Sequence, residues 1–326
     1  MSFPTQPDDD GGVVAVSVPD PARPFRYALN YSIVDKRSGP YARSSSVGPG
    51  DEDEVRRLAA KHGPLTFVAL SAYPDVLRMN LLRSVAYVDP VLPGGHRWAV
   101  IDGVTSNITG AAQAYACLHF HPSLVLDWDR DVLVFLHDDV HLLPGFELDT
   151  YRQLDRLEEE EGGDWCAIGA AGGTALNDQV VGHAFDLGFE IMPEVPDVAA
   201  RVARFVPDEL MLLLRRSSPA RFGGDQAGFH CYGMDLSMSC LAAGSDVHLT
   251  DTATTVHKAW FGNGSLMLGF FDEWASKIVW DQLLSTALAI SIKWMERVDV
   301  KGMVSTVANP SGLDMPSLAG ALDTRL

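Results

Sequence analysis

The sequence predicts an α/β fold in which a mostly parallel β-sheet is flanked by helices, with a helical extension at the C-terminus. Short apolar segments alternate with helical segments of about 10–15 residues, a pattern typical of βαβ units. Hydrophobic residues make up 47% of the 326 residues, so the chain can form a large core. Length and composition are therefore those of one large α/β domain with additions.

The elements follow from local signals. Residues 1–24 are rich in Pro, Asp and Gly and are expected to form a loose extension, and residues 25–38 are expected to contain one strand. An acidic first turn predicts a helix that begins at Asp51, and the pair Gly63–Pro64 ends it. Further strands are predicted at 65–72, 97–103, 131–140, 165–173 and 208–217, and further helices at 73–88, 106–121, 147–163, 234–243 and 272–298. We expect the apolar stripe of the last helix to pack against the domain.

Charge and composition exclude several classes of function. The formal net charge is −18, which disfavours binding to nucleic acid and to anionic membranes. No apolar run is long enough to predict a transmembrane segment, and the acidic, polar N-terminus does not resemble a signal peptide. The four cysteines lack the spacing of a zinc site, and we interpret them as reduced thiols of a cytoplasmic protein.

Acidic residues stand at two predicted strand ends. Asp102 ends the segment "AVID", and Asp138 and Asp139 end "VLVFLHDD". In parallel sheets, ligands bind beyond the carboxyl ends of the strands. Two adjacent acids repel each other, which indicates a bound cation. A cation would also allow this acidic protein to bind an anionic ligand such as a nucleotide.

The order of these elements resembles the GT-A glycosyltransferases, most closely the family 2-like enzymes. The resemblance covers roughly residues 65–260. It rests on "FLHDDV" followed by "LLPGF", which is similar to the Asp-X-Asp-type motif of the family, and on the later block at 222–260. It implies a Rossmann-like catalytic domain at 51–262, with a nucleotide-binding half at 51–146 and an acceptor half at 147–262. Residues 1–50 would form an N-terminal extension and 263–326 a C-terminal helical extension.

The resemblance also implies roles for individual residues. Asp139 matches the last acid of the motif and would bind Mn²⁺ or Mg²⁺, with His257 completing the coordination. Asp138 would lie near the ribose, and Asp102 would help to hold the nucleoside. The end of the first strand of the domain, at Ser71 and Tyr73, would line the base pocket. From its own context, Asp102 could instead close a turn before Gly103.

Two positions depart from the family pattern. His137 replaces the first acid of the motif, which leaves its role open. Gly233 stands where inverting members carry the Asp or Glu that acts as base. Asp235 is the candidate base, although a carboxylate there also suits a helix N-terminus. Asp225 and His230 are alternatives, and retention of configuration would need no such base.

The sequence therefore predicts a metal-dependent glycosyltransferase that moves a hexose from a nucleoside-diphosphate sugar to a hydroxyl acceptor, with inversion. UDP- and GDP-linked donors both fit, and a small molecule is the expected acceptor. Two alternatives stay open: a metal-dependent hydrolase that uses the "HDDVH" cluster, and a non-catalytic protein that binds nucleotide sugars. The sequence also leaves a homo-oligomer open.

Overall fold

The computed structural model describes most of the region from 51 to 257 and shorter segments on either side. The described residues are 12–18, 25–33, 51–71, 76–77, 80–84, 96–106, 108, 110–120, 132–143, 145–163, 165–174, 180–182, 184–186, 190–191, 205–215, 217–218, 220–224, 226–228, 230–252, 255–257, 285–286, 289–290 and 292–294. All structural statements below refer to these residues.

Fifteen strands and five helices are described in this part of the chain. The strands are β1 (Gly12–Val18), β2 (Phe25–Ile33), β3 (Leu65–Ser71), β4 (Arg97–Asp102), β5 (Val132–His137), β6 (Val140–Leu142), β7 (Trp165–Gly169), β8 (Ala171–Thr174), β9 (Val180–Gly182), β10 (Ala184–Asp186), β11 (Glu190–Ile191), β12 (Phe205–Pro207), β13 (Met211–Arg215), β14 (Asp246–Leu249) and β15 (Thr255–His257). The helices are α1 (Asp51–His62), α2 (Leu81–Ser84), α3 (Ala111–Phe120), α4 (Phe146–Glu161) and α5 (Tyr232–Ala242).

Eight of these strands form the main sheet, in the order β1-β2-β4-β3-β5-β13-β7-β14. β4, β3 and β5 are parallel neighbours, and β14 is parallel to β7. β2 and β13 are antiparallel to the strands on both sides of them. The described sheet is therefore mixed but mostly parallel, and only β2 and β13 run against the common direction. This confirms the α/β class predicted from the sequence.

The run of apolar residues in β5 is explained by its position inside the sheet. Val134 and Leu136 point into a core with α1 and α4, whereas Leu133 and Phe135 point into a second core with α3 and α5. All five residues from 132 to 136 are at most 3% exposed. A strand covered by helices on both faces has no polar side, so its sequence shows no alternation.

The boundaries of α1 and α4 follow the predicted signals, whereas α3 begins at Ala111, five residues after the predicted start at 106. α1 has four acidic residues in its first turn and Lys61 and His62 in its last, which complements the helix dipole. α4 ends at Gly162, whose φ of 65° is left-handed, and the N–H of this glycine donates to the carbonyl oxygen of Leu157. The predicted helix at 234–243 is α5, which begins two residues earlier, at Tyr232.

Two smaller sheets flank the end of β5. β6 follows β5 after the two-residue turn at Asp138 and Asp139 and joins a sheet in the order β11-β10-β15-β6. The other small sheet has the order β12-β8-β9. β12 leads through residues 208–210 into β13, so this short connection lies beside the carboxyl end of β5.

Two terminal predictions can be compared with the structure. Residues 12–18, predicted to belong to a loose extension, instead form β1, because β2 in the predicted strand segment offers them a pairing partner. β1 is then an edge strand of the described sheet. The described residues between 285 and 294 are helical, and the buried side chains of Ile290 and Trp294 pack against the domain as predicted. In the part of the chain described here, no helix has the length and apolar character needed to span a membrane.

Candidate functional site

Three parallel strands end side by side at the candidate site. In the sheet register Ser71 of β3 lies opposite Asp102 of β4, and Leu70 lies opposite His137 of β5. The turn with Asp138 and Asp139 follows directly. The acids that the sequence placed at separate strand ends therefore meet at one edge of the sheet.

Ser71 and Asp138 are directly bonded across this edge. The Ser71 hydroxyl donates a hydrogen bond to Oδ2 of Asp138 at 2.6 Å. Ser71 is 1% exposed, whereas Asp138 is partly exposed. A short bond to a charged acceptor fixes the orientation of the Asp138 carboxylate at the surface of the edge. Their predicted roles toward the base and the ribose stay predictions.

Asp102 closes its own turn. Its Oδ1 accepts hydrogen bonds from the backbone N–H groups of Val104 and Thr105 at 2.9 and 3.0 Å, and its Oδ2 accepts one from the Thr105 hydroxyl at 2.6 Å. The adjacent Gly103 N–H donates to the Ser71 carbonyl oxygen at 2.8 Å and ties this turn to β3. The structure thus shows the turn function of Asp102, and nucleoside binding by this residue stays a prediction.

Asp139 follows Asp138 in the turn and is 7% exposed. Its Oδ1 is 3.8 Å from Nδ1 of His137, the residue that replaces the first acid of the motif. The pairing of β15 with β6 places the backbone of His257 opposite Val140, one residue after Asp139. The strand register is therefore compatible with Asp139 and His257 as joint ligands. The His257 side chain and the whole of Tyr73 lie outside the described residues.

The arrangement around Asp139 can be compared with what a diphosphate-bound cation needs. Among the side chains described, no group of three or more His, Cys, Asp or Glu residues is placed to hold a metal ion. Mg²⁺ bound to a nucleotide takes one or two carboxylates, with phosphate and water oxygens as the other ligands. A carboxylate at the sheet edge, with phosphate and water oxygens as the remaining ligands, fits that mode.

A second group of polar residues lies beside this edge and was not predicted from the sequence. Nε2 of His137 is 2.9 Å from the hydroxyl of Tyr232, which donates to the backbone carbonyl of Glu209 at 3.2 Å. The backbone N–H of His137 donates to the backbone carbonyl oxygen of Leu210 at 3.1 Å. The end of β5 is thereby bonded to both the connection at 208–210 and the start of α5.

The carboxyl group of Glu209 binds the N-terminus of α5. Its Oε1 accepts a hydrogen bond from the N–H of Gly233 at 3.1 Å. Burial of the carboxyl group raises the pKa of Glu209 to about 8, and the negative charge of neighbouring Asp208 also raises it. Glu209 therefore takes up and releases a proton near neutral pH. The signal available in the sequence was the pair "DE" before an apolar strand, which by itself is typical of any exposed turn.

The glycine at position 233 is explained by the same contact. A Cβ atom built on Gly233 would lie 2.4 Å from the carbonyl oxygen of Pro207 and 3.5 Å from Cγ of Glu209. The close approach of α5 to residues 207–209 therefore excludes any side chain here. The carboxyl group that contacts the backbone at this position is that of Glu209.

The turn before α5 is strained and tightly packed. Cys231 has a left-handed φ of 65°, and it is the non-glycine residue with positive φ among those described. Burial of the preceding His230 lowers its pKa, and the positive charge of His137 lowers it further. His230 is therefore neutral at pH 7. A Cβ on Gly110 would lie 2.3 Å from the carbonyl oxygen of Gly228, so the segment before α5 packs closely against the start of α3.

Asp235 lies one turn into α5 and is engaged elsewhere. It is 1% exposed, and its carboxylate accepts hydrogen bonds from the ammonium of Lys293 at 3.1 Å and the indole N–H of Trp294 at 2.6 Å. A third bond comes from the N–H of Gly223 at 3.0 Å. These contacts join α5 to the C-terminal segment. A role as base stays a prediction, and the geometry favours a structural one. Asp225 lies outside the described residues.

Comparison with known proteins adds little to the assignment. No protein-family model matches the chain. A segment of 123 residues is 31% identical to a protein of Fuscovulum blasticum named "ATP synthase subunits region ORF 6". The match covers 36% of this chain and 48% of that protein, so the chain spans about half the length of this relative. The name states no activity, so the similarity does not bear on the reaction.

Proposed function

We propose that this protein is a metal-dependent glycosyltransferase that moves a hexose from a nucleoside-diphosphate sugar to a hydroxyl acceptor. The observation that supports this best is the pair Asp138–Asp139 at the carboxyl edge of three parallel strands, with Asp138 bonded to Ser71 of the neighbouring strand. This is the edge at which sheets of this kind bind nucleotides.

The donor half of the proposal assigns work to four residues. Ser71 holds the Asp138 carboxylate at the surface, where it can accept hydrogen bonds from the hydroxyl groups of a ribose. Asp139 and His257 would hold Mn²⁺ or Mg²⁺, which when bound neutralises the charge of the diphosphate leaving group. With a net charge of −18, the protein needs such a cation to attract an anionic donor.

The acceptor half of the proposal lies on the other side of His137, where α5 begins. Residues 207–209 and the strained turn at Cys231 form this side of the edge. A hydroxyl group bound here would be close to the sheet edge that takes the sugar. We propose that the reaction inverts the anomeric configuration, that the donor is UDP- or GDP-linked, that the acceptor is a small molecule and that the protein acts in the cytoplasm.

A thermal-shift experiment tests the donor site. The protein is melted with UDP, GDP, UDP-glucose or GDP-mannose, each with and without Mn²⁺. We expect one nucleotide to raise the Tm by a few degrees when the metal is present, since a ligand at about 100 times its Kd adds roughly 2.7 kcal/mol. Asp139→Asn should abolish this shift. Asp53→Asn is the matched control, because the Asp53 side chain is 91% exposed on α1.

Two outcomes would contradict the proposal. Equal stabilisation of the wild type and Asp139→Asn would show that Asp139 holds no metal. Stabilisation by a nucleotide sugar without any turnover, measured as released nucleoside diphosphate, would instead favour a non-catalytic binding protein.

A further inference from the structure

A hydroxyl acceptor must lose a proton when it attacks a sugar. In the proposed reaction the bond between the acceptor oxygen and the anomeric carbon forms, and the bond from that carbon to the diphosphate oxygen breaks. The diphosphate leaves with the bonding electron pair. The proton of the acceptor hydroxyl must then pass to a group on the protein that lies at the sheet edge and is not already neutralised by a cation.

The described carboxylates near this edge differ in their engagement. Both oxygens of Asp102 accept bonds within its own turn, and Asp235 is held by Lys293 and Trp294. Asp208 accepts a hydrogen bond from the N–H of Leu210 at 3.0 Å, which closes the turn into β13. The hydrogen bonds of these carboxylates stabilise turns and the contact of α5 with the C-terminal segment.

Glu209 differs from them in its bonding. Its carboxyl group accepts hydrogen bonds from backbone N–H groups at the start of α5, including that of Gly233 at 3.1 Å. In the part of the chain covered by the structure, no Lys, Arg or His side chain forms an ion pair with it. A carboxyl group held by backbone donors is fixed in position, and no cation among these contacts competes for the proton that it accepts. That combination suits a proton acceptor.

The surroundings of Glu209 keep this position constant. The backbone carbonyl of Glu209 accepts the hydroxyl of Tyr232, which also contacts His137 at the end of β5. The approach of Gly233 to the Pro207 carbonyl leaves residues 207–209 no room to shift toward α5. Residues 207–209 are therefore held beside the end of β5, next to the turn that carries Asp138 and Asp139.

We propose that Glu209 is the general base that accepts the proton of the acceptor hydroxyl, a role that rests on the proposed glycosyltransferase function. The base then comes from the connection between β12 and β13, and not from α5. The titratable groups that face Glu209 are Asp208 on its own segment, Cys231 and Tyr232 from the start of α5, and Tyr115 from α3.

The experiment measures turnover of UDP-glucose or GDP-mannose, whichever stabilises the protein, with Mn²⁺ and with water as the acceptor. Glu209→Gln should lower kcat/KM on the order of 100-fold or more, the usual contribution of a general base. The nucleotide-dependent Tm shift of this variant should equal that of the wild type, since Glu209 does not contact the donor site. Formate should restore part of the turnover of Glu209→Ala, because a small carboxylate can replace the missing group.

The pH dependence identifies the group that titrates. Wild-type kcat/KM should rise with pH through an inflection near pH 8, because the base acts in its ionised form and the pKa of Glu209 is raised to about 8. This inflection should be absent in Glu209→Gln. Asp208→Asn should move it to lower pH, since the charge of Asp208 contributes to raising that pKa.

Each outcome separates the two proposals. If the wild type neither binds nor turns over a nucleotide sugar, the glycosyltransferase function itself is wrong. If the wild type is active and Glu209→Gln keeps its activity within threefold (roughly 0.6 kcal/mol), Glu209 is not the base. Loss of activity in His230→Gln, together with an unchanged Glu209→Gln, would assign the role to His230. A loss in Glu209→Ala that formate does not relieve would likewise contradict the proposal.

Discussion

Replacing Gly233 by alanine tests the contact that places Glu209. The new Cβ would lie 2.4 Å from the Pro207 carbonyl oxygen, whereas real Cβ atoms essentially never approach another atom within 3.0 Å. The backbone at 207 and the start of α5 must therefore separate by at least 3.0 − 2.4 = 0.6 Å. Because Glu209 is bonded to α5 and lies two residues after Pro207, its carboxyl group would be displaced.

The magnitude follows from two opposing effects. Alanine is favoured over glycine inside a helix by about 1 kcal/mol. Overpacking against a backbone atom costs about 1–3 kcal/mol, and a contact this short lies at the upper end of that range. We expect Gly233→Ala to lower the free energy of unfolding by about 1–2 kcal/mol. We also expect turnover to fall at least tenfold, because a base displaced by about half an ångström is misaligned with its hydroxyl.

Urea unfolding and nucleotide-sugar turnover measure these two effects. Gly244→Ala is the control, because a Cβ there meets no atom within 4 Å and only the left-handed φ of 76° is unfavourable. It should cost about 1 kcal/mol through the backbone and leave turnover unchanged. If Gly233→Ala is as stable as the wild type, or more stable, the contact is not tight and our account of the position of Glu209 is wrong.

Three further predictions concern other contacts of the site. Ser71→Ala should weaken donor binding about 5–10-fold in calorimetric titration, because Asp138 loses a charge-assisted hydrogen bond. Unchanged affinity would show that this bond does not orient Asp138 for donor binding. Asp235→Asn should lower the free energy of unfolding by roughly 2–3 kcal/mol, since a buried carboxylate loses its charge opposite Lys293. If the variant is as stable as the wild type but its kcat/KM no longer depends on pH, Asp235 is the base. The folded state keeps the proton of Glu209 up to about pH 8, whereas the unfolded chain releases it near pH 4.5. Protonated Glu209 therefore contributes to the free energy of unfolding at acidic pH, and this contribution is lost as the pH rises through about 8. Urea unfolding at pH 6 and pH 9 should show a smaller decrease for Glu209→Gln than for the wild type.

Much of the fold could be predicted from the sequence because its signals are local. The apolar run at 132–136 predicted a buried strand, and the capping residues around Asp51 and Gly162 predicted where helices begin and end. Segment 12–18 was the exception. The strand expected within residues 25–38 was confirmed as β2, but its sequence does not show which segment pairs with it, and the polar, Pro-rich residues around 12–18 did not indicate a strand.

The direction of β13 could not be predicted in the same way. Its apolar sequence is the same whether the strand runs with its neighbours or against them, since a fully buried strand shows no pattern that distinguishes the two. The antiparallel direction is nevertheless important for the site. It brings the start of β13, and with it Glu209, to the carboxyl end of β5.

The sequence by itself determined the two adjacent acids after a buried strand, the negative net charge and the α/β class, because each depends on residue type and short-range spacing. Only the tertiary structure decided which acids meet and which are already engaged. Asp102 and Asp235 look like functional carboxylates in the sequence, yet their oxygens are bonded to their own turn and to the C-terminal segment. Glu209 looks like a surface residue until the start of α5 packs against its carboxyl group. The residues that shield a carboxyl group from water and those that hydrogen-bond to it come from segments far apart in the chain. Both sets of contacts determine its pKa and its ability to accept a proton.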